Sequence, residues 1–175
     1  MSETGEIGAI AAFPWQPEIE GYQAGAALYG ENINTHVSYV EDWYDSELAL
    51  SYFDKLKKQG VDVFYPAGDG YHVQVIEEAR SEGLYAIGFV GDQSDLGEST
   101  VLTSTVQHVD YLYELIATQF YQNELTTGNL SFDFEDGVIS LGEFSSKVPD
   151  DLRMKFEQAV QTYIETGELP TEPIM

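Results

Sequence analysis

Two short segments, Val61-Asp-Val-Phe-Tyr-Pro-Ala-Gly-Asp-Gly70 and Leu84-Tyr-Ala-Ile-Gly-Phe-Val-Gly-Asp-Gln93, constrain the fold of this chain more than anything else in it. Each is a β-branched and aromatic run that stops abruptly at Gly and Asp. Between them lies a helical pattern carrying Val75, Ile76 and Ala79 and closed by Gly83. Apolar runs this short, bounded by glycine and alternating with helices, read as strands buried on both faces of a parallel sheet. Ligands of such sheets settle just beyond the carboxyl ends of the strands. Gly68, Asp69, Gly70, Asp92 and Gln93 occupy that place, so recognition of a small molecule is the first functional expectation.

The same rhythm runs upstream. Residues 7–13 read as a first strand, Pro17 to Tyr29 as a helix with proline in its first turn, and 36–40 as a second strand. Asp45 or Ser46 then caps a helix with Ala49, Tyr52, Phe53 and Leu56 on one face. Lys55, Lys57 and Lys58 crowd its last turn, where they complement the helix dipole. After about residue 98 the pattern changes. Val101-Leu-Thr103 is a short apolar run, and residues 105–122 show a helical stripe of Val106, Val109, Tyr113, Ile116, Ala117 and Phe120. Leu130–Phe134 and Val138–Gly142 flank Glu135-Asp-Gly137 as a β-hairpin. A last helix follows Val148-Pro-Asp150 with Leu152, Phe156, Ala159, Val160 and Tyr163 on one face. These added apolar faces exceed what four βα units need to bury.

With 175 residues and 43% hydrophobic content, the chain can build a real core. Its net charge of -24, from 7 basic against 31 acidic residues, repels phosphate backbones and anionic lipid, so direct nucleic-acid binding is not expected. The acidic residues are scattered rather than clustered at ligand spacing, and His36 and His72 are isolated, so no metal site is expected. The absence of cysteine rules out disulfides and thiolate chemistry within the chain. The opening Met1-Ser-Glu-Thr-Gly-Glu6 has no basic or apolar signal region, and no apolar run is long enough to span a membrane. Ser104, His72 and Asp92 lack a nucleophile-elbow motif, so no catalytic residues and no cofactor are expected. A hydrolase or phosphatase built on Asp69 and Asp92 is the lesser alternative.

Taken in order, Gly21-Tyr-Gln-Ala-Gly25, Gly60-Val-Asp-Val-Phe64, Ala67-Gly-Asp-Gly70, Val75-Ile-Glu-Glu-Ala79, Gly83-Leu-Tyr-Ala-Ile-Gly88 with Asp92-Gln93, Val101-Leu-Thr-Ser104, Asp136-Gly-Val-Ile-Ser-Leu-Gly142, Val148-Pro-Asp150 and Thr166-Gly-Glu168 resemble the basic membrane protein, or PnrA-like, family of substrate-binding proteins. The resemblance runs over nearly the whole chain. It implies an α/β, periplasmic-binding-protein-like fold of type I, with a ligand cleft between two lobes. Residues 1–100 match the second lobe, a parallel βα sheet. Residues 101–175 match the return segment of helix, hairpin and helix that completes the first lobe. Family chains are about twice as long, so the first lobe's own strands, the lipoprotein signal and the anchor are expected outside this chain, on an extracytoplasmic, lipid-anchored parent. Phe13-Pro-Trp-Gln16 and Ser104-Thr-Val-Gln-His108 resemble a regulatory branch of the family.

The function implied is non-enzymatic binding of a small polar, nucleoside-like ligand in a sensor that addresses a membrane signalling partner. The alternative is delivery of nucleosides to an ABC permease. The uncovered apolar faces of 101–175 also point to self-association of this chain. Within the resemblance, Phe13 and Trp15 lie where the family supplies an aromatic that stacks on the base, although a core or hinge role suits them as well. Asp92 matches the family acid that bonds the ligand, against the alternative of a solvated loop residue. Gly68–Gly70 offers backbone N–H groups to a ligand, or is a tight βα turn with Asp69 as helix cap. Gln107 stands where nucleoside binders carry Lys, which replaces a point charge by a neutral donor and acceptor.

Overall fold

The computed structural model describes residues 1–30 and 32–173. Six strands and five α-helices follow in the order β1 (Glu6–Ala11), α1 (Pro17–Tyr29), β2 (Asn34–Tyr39), α2 (Ser46–Lys58), β3 (Val63–Ala67), α3 (His72–Ser81), β4 (Tyr85–Val90), β5 (Val101–Gln107), α4 (Val109–Gln122), β6 (Ile139–Leu141) and α5 (Asp150–Thr166). They form one sheet in the order β2-β1-β3-β4-β5-β6, in which only β6 is antiparallel to its neighbour.

The strands are apolar on both faces because both faces are covered. In β3 all five residues are buried. Ile10 and Phe64 point to one side, where Phe53 and Leu56 of α2 and Val75 and Ala79 of α3 close over them. Their neighbours Ala9, Ala11 and Tyr65 point to the other side, against Ile19 and Tyr22 of α1. Asp45 caps α2 by accepting from the Leu48 N–H at 3.0 Å. The four helix-linked parallel strands expected from the sequence are all present, with helices on both faces.

Two local expectations fail. The strand that opens at Val101 continues to Gln107, so α4 begins at Val109 and Val106 belongs to the sheet. Residues 101–107 are held between two partners, β4 on one side and β6 on the other, and this pairing overrides the helical spacing of Val106 with Val109. The hairpin is also absent. Leu130–Phe134 forms no strand, and β6 pairs with β5 instead. The Val138 and Ile139 N–H groups both donate to the Asp133 carbonyl, at 3.1 and 3.2 Å, around Gly137 at φ 74°. Those donors serve a tight turn rather than a ladder.

Among the described residues, neither α4 nor α5 buries a single side chain. Tyr113 and Phe120 are 71% and 72% exposed. Helices held mainly by packing open readily once that packing is missing. Amides of α4 and α5 should therefore exchange at least about tenfold faster than those of α2 and α3 in hydrogen-exchange measurements. Equal protection throughout would mean that these faces are covered in solution, as by a second copy of the chain.

Candidate ligand-binding site

β2 and β3 flank β1 on either side, and α1 packs on one face of the sheet while α3 packs on the other, so the connections that leave the carboxyl ends of β1 and β3 turn to opposite faces. A sheet of this order opens its crevice at that switch point. Three loops meet there: the one after β1 (Ala12–Gln16), the one after β2 (Val40–Asp45) and the one after β3 (Gly68–Tyr71). Buried Gln16 fastens the first loop to the third. Its Oε1 accepts from the Phe13 N–H at 2.8 Å and its Nε2 donates to the Ala67 carbonyl at 3.1 Å. Phe13 and Trp15 stack at 5.4 Å, and Trp43 meets them edge-on at 5.4 and 6.0 Å. Trp15 is nonetheless 67% exposed and Tyr44 66%. Exposed aromatic rings held this firmly are a ready stacking surface.

Gly68 and Gly70 are required by close packing. A Cβ on Gly68 would lie 2.0 Å from the Tyr71 ring, and one on Gly70 would lie 2.6 Å from the Tyr44 ring. The N–H groups of Asp69 and Gly70 both donate to the Trp43 carbonyl, at 3.2 and 2.9 Å. Asp69 does not cap α3, whose first turn has no side-chain cap. Its Oδ2 instead accepts from the Tyr44 hydroxyl at 3.0 Å. That bond, and the neighbouring Asp42 charge, push the Tyr44 hydroxyl above its ordinary pKa.

At the end of β4 the backbone turns sharply through Val90 at φ 67°, an uncommon conformation for a β-branched residue. Just before it, the β4–β5 register shifts and Gly88 admits wholly buried Ser104, whose Oγ would lie 2.2 Å from any Cβ there. Ser104 Oγ accepts from the Gln93 N–H at 3.1 Å, and Gln93 Oε1 accepts from the Phe89 N–H at 3.1 Å. Gln93 is thus buried as a brace, which leaves Asp92 at the exposed tip. Asp92 accepts from Ser94 N–H at 3.1 Å and from Glu143 N–H at 2.8 Å.

Partial burial pushes the Asp92 carboxyl up, but the two N–H groups together with the Ser94 and Ser104 side chains outweigh it and hold the group below its ordinary 3.8. A carboxylate depressed in the folded state stabilises above the unfolded pKa, and the contribution fades as pH falls through the folded pKa. Asp92→Asn should cost about 1 kcal/mol at neutral pH, the exposed end of the range for charged hydrogen bonds. The gap between urea melts of variant and parent should begin to shrink near pH 3.8 and close as pH falls through the lower folded pKa. A gap that persists there would assign the loss to shape rather than charge.

Gln107 ends β5, and its Nε2 donates to Glu18 Oε1 at 3.0 Å, tying β5 to the first turn of α1. The other oxygen, Glu18 Oε2, is buried without a partner. Below it the Tyr65 hydroxyl meets Thr105 Oγ1 at 2.9 Å, and burial raises the Tyr65 pKa to about 12. Phe13, Trp15 and Gly68–Gly70 therefore form one cluster, while Asp92 with Gln93 and then Gln107 follow along the same carboxyl edge. Sequence reading missed Gln16, Trp43, Tyr44 and Glu18. Trp43 and Tyr44 had an available signal, since they follow the second strand much as Phe13 and Trp15 follow the first. An open groove of about 700 Å³ between β6 and α5 is lined by Phe134, Phe144, Val160 and Ile164, and also by Glu143, whose N–H binds Asp92. It records the bare face of α5 and takes in none of the side chains of the aromatic cluster.

Residues 1–172 match the Bmp family, described as ABC transporter substrate-binding protein PnrA-like. The chain is 48% identical over 170 residues to the transcriptional activator protein med of Bacillus subtilis, covering 97% of this chain and 54% of that protein. It is similar to the solved structure of a transcriptional activator of the comK gene from Bacillus halodurans, with TM-score 0.90 and 56% identity over 97% of this chain and 60% of that one. A solute-binding protein of an ABC transporter system from Conexibacter woesei superposes with TM-score 0.70 at 16% identity, covering 99% of this chain and 59% of that chain. At that identity the likeness concerns the fold, which is periplasmic-binding-protein-like. The chain spans about half the length of the curated relatives it matches, 54% of the first.

Proposed function

The chain belongs to the PnrA-like family of ABC transporter substrate-binding proteins, and from that membership we propose that it is the ligand-gripping part of a non-enzymatic sensor for a small, nucleoside-like molecule. The observation that carries this reading is the packed aromatic cluster of half-buried Phe13 and Trp43 with exposed Trp15 at the switch point of the sheet, beside Asp69. A planar base stacks on such rings, and carboxylates such as Asp69 and Asp92 accept from sugar hydroxyls. Residues 1–100 act as one lobe, and 101–175 complete a second. The bare apolar faces of α4 and α5 support that division, with a second copy of this chain as the alternative cover.

A regulatory use is favoured by the 48% identical relative, which is named a transcriptional activator. With a charge of -24 the chain is poorly suited to touch DNA, so its effect on transcription would pass through a membrane signalling partner. The parent protein stands outside the cytoplasm on a lipid anchor. No helix among the described residues is long and apolar enough to cross a membrane. Delivery of nucleosides to an ABC permease is the second reading, favoured by the family description. Gln107, already engaged by Glu18 where nucleoside binders carry Lys, weakens it.

A thermal-shift series with purine and pyrimidine nucleosides tests the proposal. Ligand at a hundred times its Kd stabilises by about 2.7 kcal/mol, a shift of several degrees. No shift with any nucleoside at millimolar concentration would overturn the nucleoside-like assignment.

A further inference from the structure

We infer that the ring accepted by this cleft carries positive charge, so that the ligand is a planar cation rather than a neutral or anionic nucleoside. The inference rests on the small-molecule reading above and narrows its ligand class.

The first ground is the sign of the charge around the aromatic cluster. No Lys or Arg occurs between Met1 and Asp54, and none lies in the loops after β3 and β4. The loops after β2, β3 and β4 and the first turn of α1 instead carry Glu18, Glu41, Asp42, Asp69 and Asp92. The ion pairs among the described residues lie elsewhere, at Glu6–His36, at Lys57 and around Arg153. Among the described residues, the carboxylates of the carboxyl edge therefore have no cationic partner.

The second ground is independent of net charge. Glu18 Oε2, held beside the Gln107 end of β5 on the same carboxyl edge, is a buried acceptor with no donor among the described residues, which favours a ligand that brings a donor over one that brings an acceptor. The third is the rings themselves. Trp15 is 67% exposed although one face of its ring stacks on Phe13, and an indole face carries the negative quadrupole that attracts cations more strongly than other aromatic rings do. A neutral base gains stacking from that face, whereas a cationic ring gains stacking and electrostatic attraction together. A phosphorylated nucleoside would meet only like charge.

Three probes on one framework separate these cases: adenosine, which is neutral; N1-methyladenosine, whose ring is cationic near neutral pH; and adenosine monophosphate, which is anionic. Each is titrated into the full chain near neutral pH at low and moderate salt, by calorimetry and tryptophan fluorescence. The cationic probe should bind about tenfold tighter than adenosine, and the anion at least about tenfold weaker, with the spread narrowing as salt rises. Trp15→Leu and Asp69→Asn should each reduce the preference for the cation, and a far-ultraviolet spectrum like the parent's will show that they fold. Adenosine binding as tightly as its methylated form would overturn the inference and leave the nucleoside-like reading standing. Failure of all three probes to bind would overturn both.

Discussion

Alanine in place of Gly68 is expected to destabilise the chain by about 3 kcal/mol, the upper end of what overpacking in a core costs. The added Cβ would lie 2.0 Å from the Tyr71 Cζ and 2.4 Å from its hydroxyl oxygen. Tyr71 cannot step aside cheaply. It is wholly buried, and its hydroxyl donates to the Ile10 carbonyl at 3.2 Å, so a retreating ring would break that bond and leave the hydroxyl unpaired in the core. The contrasting control is Gly21→Ala in α1, where an added Cβ meets nothing within 4 Å. There alanine should stabilise by about 0.5–1 kcal/mol, the entropy glycine forfeits in a helix. Urea denaturation of the two variants decides the matter. A Gly68→Ala protein within about 1 kcal/mol of the parent would mean that the loop after β3 is not seated on Tyr71.

Phe64→Ala should cost still more, about 3–5 kcal/mol. Phe64 is wholly buried at the centre of the sheet, and its ring packs on Phe53 of α2 with centroids 4.4 Å apart. Truncation removes that aromatic pair and leaves a cavity between β3 and α2 that close-packed neighbours fill only in part. Against a total stability of about 5–15 kcal/mol, the variant should be partly unfolded at moderate temperature. A loss below about 2 kcal/mol would contradict a closed core beneath α2. Because Phe64 touches none of the aromatic cluster, whatever folded protein remains should keep its ligand preference.

The first four βα units were legible because two independent signals agreed at each. The strand runs were apolar throughout, as in Val63–Ala67, and glycines such as Gly60 and Gly83 punctuated the helices. From Val101 onward the signals conflicted. Val106 fits a helical stripe with Val109 and Tyr113 as well as it fits a strand, and only its pairing with Val90 and Ser140 shows which period prevails. Glu135-Asp-Gly137 did mark a turn. What no local pattern conveyed was that Asp133 would absorb the donors after it, leaving β6 to pair with β5. The candidate site was legible to the extent that it follows strand ends, which placed Phe13, Trp15, Gly68–Gly70 and Asp92 on one edge. Its wiring was not. That Trp43 offers its carbonyl to Asp69 and Gly70, or that Glu18 meets Gln107 across the sheet, depends on which loops the topology brings together.

Amide and indole chemical-shift mapping of the isotopically labelled full chain, titrated with N1-methyladenosine, tests the central claim of ligand capture at the carboxyl edge most directly. The chain has only two tryptophans, Trp15 and Trp43, so their indole signals report on the aromatic cluster without ambiguity. The account predicts saturable shifts of both indoles and of the amides of Phe13, Tyr44, Asp69 and Gly70, with residues 57–60 and 80–84 at the opposite edge unmoved. Shifts confined to that opposite edge or to the groove between β6 and α5, or no saturable shift at either indole, would contradict it.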